Sequence, residues 1–351
     1  MCKKSYISIV ILTIGLLFLG SQAWAAKVKI KVAHVDKPDR FESCMGAMSN
    51  TFKDLVESMS GGEIEVEIFP AGQLGNMREM VESTQMGATQ IVICYTSVGT
   101  IFSPELMVVQ IPFIFPTAAH AWRALDGQWG KDLADELLRD AGLRNLAWGE
   151  GFGFRVVWNN KRPIRRPADL KGLKIRVPES KGLFALFKAL GAAPVTITWT
   201  ELYTALQTGA ADGCEPELGG GAMIKLYETT KYVTLTNHAY NIHGMWANEK
   251  WFQSLSNKHK KIIIEAARVA EIASRGISQN IAGASVGLCI SKGMEIYSPT
   301  TEEMGEFIKQ GQSAYLKAIE KDVGKEWIDK TLKAAKQATD ELDAEAAKIV
   351  K

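Results

Sequence analysis

A handful of side chains in this 351-residue sequence are of types that hold a small charged molecule. Arg176 is one of them. A guanidinium is a planar fork of donors that meets both oxygens of a carboxylate at once. In Leu173-Lys174-Ile175-Arg176-Val177 the apolar residues alternate with the basic ones, which puts Arg176 off the core face of a strand. On that strand alone Arg176 also reads as a solvated arginine. Arg155 follows Gly149, Gly151 and Gly153 and lies on the opposite strand face from Phe152 and Phe154. Two roles are open to it: holding a second anionic or polar end of a ligand, or pairing with an acid such as Glu150. Glu150, Glu215 and Glu217 would accept hydrogen bonds from hydroxyl or ammonium groups. Trp148, Phe152, Phe154, Trp158, Trp199, Tyr240 and Trp246 offer faces for a sugar or an aromatic ring, although packing accounts for most such residues.

Other chemistries lack their residues. There is no G-x-S-x-G, H-E-x-x-H or G-x-x-x-x-G-K-[ST], and no G-x-G-x-x-G opens a helix after a strand. His34, His120, His238, His243 and His259 show no metal-ligand spacing, and His34 reads either as a cleft residue or as a structural one. Cys44, Cys94, Cys214 and Cys289 form no C-x-x-C pair, so zinc is not expected; bridges and buried thiols both remain open. Neither a metal nor a cofactor is expected. With 41 basic and 39 acidic residues and no long basic run, nucleic acid is not the expected partner.

The elements that position these residues begin behind an export signal. Lys3 and Lys4 precede an apolar run from Ile7 to Leu19, and Ala23-Trp24-Ala25 gives a small-x-small site with a cut after Ala25. That peptide carries two lysines and no acid, so the remainder balances at 39 − 39 = 0 and is expected to be soluble and periplasmic. Its length suggests two domains. Val28, Ile30 and Val32 mark a strand. Phe41 to Met59 has helical spacing ended by Gly61-Gly62. Glu63–Ile68 is a strand, Asn76–Met86 a helix and Gln90–Tyr95 a buried strand. This β-α-β-α-β order implies parallel strands, with ligands beyond their carboxyl ends near His34, Phe69-Pro70 and Tyr95-Thr96-Ser97. Thr117–Asp140 reads as one helix weakened by Gly127 and Gly130. Leu143–Trp158 reads as a long strand whose glycines allow bends or close approaches, as a link between domains requires. Leu173–Val177 and Lys231–Thr236 are strands, Lys181–Leu190 and Trp199–Thr208 helices, and Ile242–Asn248 carries the chain back to the first domain. Beyond Asn257 nearly everything is helical except Glu295–Tyr297.

Several short motifs in one order then carry a resemblance. They are Phe69-Pro70-Ala71-Gly72-Gln73-Leu74-Gly75, Ile111-Pro112-Phe113, Arg162-Pro163-Ile164, the run Pro167 to Pro178, Leu190-Gly191-Ala192, Glu201 to Gly209, and Asp212-Gly213. From about Lys29 to Glu320 the chain resembles the extracytoplasmic receptors of tripartite ATP-independent periplasmic (TRAP) transporters, the DctP-type family. The resemblance implies an α/β, two-lobed, type II-like periplasmic binding fold with hinge strands and long C-terminal helices. It implies lobe I at 26–151 plus about 243–280, lobe II at 152–242 plus about 281–320, and a helix over 321–351 packed on both. Arg176 matches the family's carboxylate-binding arginine, and Arg155 matches a second arginine often found there. Where relatives commonly read Gln-Glu-Asn after Asp-Gly, this chain reads Cys214-Glu215-Pro216, so Glu215 is kept and an asparagine contact is lost. The expected ligand-binding set is Arg176, Arg155, Glu215, Trp199, His34, Tyr95, Ser97 and Tyr240. The implied ligand is a small organic acid: a hydroxy acid, a sugar acid or an aromatic amino acid. The implied partners are the small and large membrane subunits of a permease, with a monomeric receptor. A receptor for a sensor kinase is the alternative class, ahead of an enzyme.

Overall fold

The computed structural model describes residues 27–349. The export signal expected over 1–25 lies outside them. Eleven strands form two sheets. They are β1 (Val28–Ala33), β2 (Ile64–Phe69), β3 (Ile91–Tyr95), β4 (Leu143–Phe154), β5 (Val157–Asn159), β6 (Lys174–Val177), β7 (Ala193–Thr196), β8 (Gly213–Cys214), β9 (Tyr232–Thr234), β10 (Tyr240–Asn248) and β11 (Glu295–Tyr297). The first sheet runs β2-β1-β3-β10-β4 and the second β11-β9-β5-β8-β6-β7.

In the first sheet β1 lies parallel to both β2 and β3, as the alternating pattern implies, with Ile30 opposite Val66. β3 is Ile-Val-Ile-Cys-Tyr, buried along its whole length, because helices and neighbouring strands enclose it. The returning strand β10 inserts antiparallel between β3 and β4. Helix Cys44–Met59 covers this sheet with Met45, Met48 and Phe52, each with essentially no exposure. Phe41 lies outside that helix and is exposed, so the sequence pattern overextended its apolar face. Asn76 caps helix Met77–Gln85: its side chain accepts from the Glu79 amide, and Glu79 accepts from the Asn76 amide.

Two long elements break where the sequence places glycine. The expected helix over 117–140 is two helices, Ala118–Asp126 and Gln128–Ala141, parted by extended backbone at Gly127. The expected strand over 143–158 is β4 and β5, one in each sheet. The break is prepared by Phe152 and Gly153, at φ 62° and 87°, a left-handed region that a non-glycine residue such as Phe152 occupies only at a cost. β7 and β8 are short, and sequence periodicity did not mark them.

The 35-residue helix Asn257–Ser291 packs on helix Cys44–Met59 and β4, and reaches helix Leu218–Met223 near the second sheet. The C-terminal helix Thr301–Ile349 bends at Gly324, where φ is 77°. Before the bend, Gly182 lies so close to the Tyr315 ring that a Cβ there would sit 2.4 Å from it. After the bend, Thr331 accepts from Trp129 Nε1 at 3.0 Å. The helix therefore touches elements of both halves. Cys44, Cys94, Cys214 and Cys289 are free, buried thiols, which resolves the choice that their spacing left open. Among the described residues no helix is long and apolar enough to cross a membrane.

Candidate functional site

The carboxyl ends of β1, β3 and β6 converge on a cleft between the two sheets. One wall carries Val35, Asn76, Tyr95, Ser97 and Asn241; the other carries Arg155, Arg176, Thr198, Trp199 and Glu217. The cavity between them is small, about 30 Å³, so the two walls stand close together.

Arg176 stands on β6, flanked by β7 and β8. Its side chain is 2% exposed. Nε donates to the Ile197 carbonyl at 2.7 Å, and among the described residues no carboxylate lies within ion-pair distance of the guanidinium. Burial pulls its pKa down to about 10; Glu215 works against that fall and the nearby Arg155 adds to it. It remains charged at neutral pH, held in the wall of a cleft without a counter-ion.

Arg155 is the opposite case. It sits at the crossing from β4 to β5 and bridges backbone to backbone with Glu217. Its Nε and Nη2 donate to the two oxygens of Glu215 at 2.5 and 2.7 Å, and Nη1 donates to Glu217 at 2.8 Å. Burial lowers its pKa, but the two carboxylates outweigh burial and raise it. His238 approaches Glu215 at 3.2 Å through Nε2. Burial pushes the Glu215 carboxyl up, yet Arg155 and His238 hold it below the usual carboxylate range. Burial takes Glu217 up to about 7, because its single bond to Arg155 offsets less. The partner of Arg155 is thus the Glu215/Glu217 pair. Glu150 is engaged elsewhere, accepting from Trp122 and Gln279 at 2.9 and 2.5 Å.

The structure brings Arg176, Arg155, Trp199, Tyr95 and Ser97 together around the cleft. It does not bring His34, Tyr240 or Glu215 into the lining. His34 is turned into the protein, with Nε2 3.2 Å from the Ser49 hydroxyl, and burial lowers its pKa to about 4. Tyr240 accepts from Trp122 Nε1 at 2.7 Å near the hinge. Glu215 lies behind Arg155. In each pair the neighbour reaches the cleft instead, Val35 beside His34 and Asn241 beside Tyr240, because successive side chains of an extended segment face opposite ways. Of the aromatic residues singled out, Trp199 lines the cleft, while Trp158 and Trp246 are wholly buried in packing.

Asn241 in the cleft wall and Asp36 behind Tyr95 escaped sequence reasoning. Asn241 is buried and its Oδ1 has no partner among the described residues. Asp36, fully buried, accepts from the Tyr95 hydroxyl at 3.3 Å and from Ser43 at 3.3 Å; burial raises its pKa to about 7, and those bonds oppose the rise. The strand-end rule pointed at this loop but not at the residue. Elsewhere, oxygens of Glu105, Glu136 and Asp140 lie within 4.8 Å of one another, with Arg139 paired to all three.

Residues 34–322 match the family model for the bacterial extracellular solute-binding protein, family 7 (DctP). This chain belongs to that family. Its members are periplasmic solute-binding proteins of the TRAP type, built to bind rather than to transform. The 2,3-diketo-L-gulonate-binding periplasmic protein of Escherichia coli K12 is 34% identical over 219 residues, 62% of this chain and 66% of that relative's length, slightly under two thirds. The sugar acid binding protein DctPAm from Advenella mimigardefordensis, solved in complex with galactonate, superposes with a TM-score of 0.84 at 30% identity, over 89% of this chain and 99% of that one. A TRAP periplasmic solute-binding protein from Sulfurospirillum deleyianum, solved with bound succinate, gives a TM-score of 0.81 at 29% identity, over 87% and 98%. The two-lobed α/β architecture expected of the DctP family is thereby established.

Proposed function

We propose that this protein is a receptor for a small hydroxylated organic acid, which it delivers to the membrane subunits of a TRAP transporter. The observation that carries this is Arg176, a buried, charged guanidinium in a cleft wall with no carboxylate partner among the described residues. A ligand carboxylate supplies the missing counter-charge and two acceptors in the plane of the fork. Tyr95, Ser97, Asn76 and Trp199 stand ready for the remainder of the ligand. The galactonate and diketogulonate of the relatives favour a hydroxylated acid. Ligand bridging both walls favours the form in which they meet, and the permease recognises that form.

The test is a thermal-shift screen of the mature protein against organic acids, with Arg176→Ala beside it. A tight ligand raises the melting temperature by mass action. A carboxylate hit lost in Arg176→Ala supports the reading. A library without a hit, or a hit indifferent to the substitution, refutes it.

A further inference from the structure

We infer that Glu217 is the specificity-determining residue of this cleft, selecting acids with one carboxylate and a hydroxylated far end and rejecting those with a second carboxylate. The inference rests on the carboxylate-receptor reading above and goes beyond it to the other end of the ligand.

The cleft has two arginines, but only one is available to an anion. Arg176 has no acid within ion-pair distance among the described residues. Arg155 is held by three bonds to Glu215 and Glu217, so its donors are already engaged by both acids. A second ligand carboxylate arriving there would meet a guanidinium already bonded to two acids and, above about pH 7, the ionised Glu217 carboxylate beside it. Like charges brought together in a buried site repel strongly. The neighbouring groups extend the same preference. Asn241 Nδ2 leans on the Gly151 carbonyl at 3.5 Å, leaving Oδ1 as a buried acceptor with no donor among the described residues. Tyr95 donates to Asp36, so its hydrogen is committed as well. This end of the cleft is therefore rich in acceptors. Hydroxyl groups donate to such acceptors and a carboxylate cannot. Glu217 follows directly on Pro216, which stands where relatives commonly carry an asparagine.

Galactonate and galactarate share a carbon chain and differ only in the oxidation of the last carbon, which isolates the second carboxylate. Calorimetric titration of the mature protein with each is expected to favour galactonate by at least about 100-fold, the scale of a few unfavourable kcal/mol. Glu217→Ala frees Arg155 Nη1 and should raise galactarate affinity while lowering that of galactonate, narrowing the ratio at least tenfold. Glu217→Gln keeps the shape and one acceptor; it guards against a misfolded alanine variant and should move the ratio the same way. Equal affinities in the native protein, or an unchanged ratio in both variants, overturn the inference. If succinate or another diacid binds tightly and is lost in Arg176→Ala, the inference fails and the receptor reading survives. If no acid binds at all, both fall.

Discussion

Replacing Arg176 by methionine should weaken binding without lowering stability. The guanidinium is buried, makes one hydrogen bond, to Ile197, and has no ion-pair partner among the described residues. Burial takes its pKa down to about 10. At roughly 1.4 kcal/mol per pH unit, holding that charge costs the fold about 3 kcal/mol. The folded-state pKa of this base lies below its unfolded value. At any pH well under 10 the group is charged in both states, so the cost is present in full at pH 7 and fades only as pH rises beyond 10. Methionine has a similar stem and no charge. It forfeits the charge-assisted bond to Ile197, worth about 1.5–3 kcal/mol. The net change lies between about zero and a gain of about 1.5 kcal/mol, at most roughly 3 °C in melting temperature for a chain of this size. Ligand binding weakens. Losing a bidentate, charge-assisted contact costs at least about 3 kcal/mol, more than 100-fold in Kd. Scanning calorimetry on protein refolded free of small molecules, with titration of the ligand that the screen finds, measures both. A melting temperature that falls by several degrees in Arg176→Met would refute the reasoning, because it would mean that the guanidinium is fully compensated within the fold.

Asp36 gives a pH signature. Its pKa is raised by burial to about 7, so between pH 4 and 7 the folded state keeps a proton that the unfolded chain has shed; this contribution is present at low pH and lost as pH rises through 7. Asp36→Asn should match the native protein near pH 4 and exceed it by up to about 4 kcal/mol at pH 8, and urea titrations giving the same stability difference between the two proteins at both pH values would count against this. Gly151→Ala would place a Cβ 2.5 Å from the Tyr95 ring and 2.8 Å from Asn241. It should cost about 1–3 kcal/mol of stability and weaken ligand binding as well, because both neighbours line the cleft; calorimetry showing no loss of either would contradict the packing. The four cysteines of the mature chain should resist a thiol reagent in the native protein and all react after unfolding without reductant. Fewer than four would indicate a bridge.

What the sequence made legible followed from local rules. The alternation in Glu63–Ile68 gave β2, the run Asn76–Met86 gave a helix, and the β-α order gave parallel strands and the side on which the cleft opens. Arg176 was placed by its strand and by resemblance together. The partner of Arg155 was not legible, because residues 155 and 215–217 meet through a bridge whose register no local pattern encodes. Tyr95 and Ser97 reach the cleft and His34 and Tyr240 turn away from it for one reason. Strand ends locate a site to within a residue or so, whereas a one-residue step turns a side chain to the other face. Asn241 and Asp36 carry no motif; only the finished arrangement exposes an unpaired oxygen or a buried carboxylate.

The insertion of β10 also governs how the chain is assembled in time. β3 is complete by Tyr95 and β4 by Phe154, yet the strand that joins them begins only at Tyr240. Until about 250 residues have arrived, β3 has an unpaired edge and β4, the last strand of the first sheet, has no partner at all. Such late, long-range closure makes folding slow. A chain delivered from its N-terminus therefore stays open and threadable for most of its passage. The first sheet closes only when one late strand is seated, and that delay is also the interval in which the chain is most exposed to aggregation.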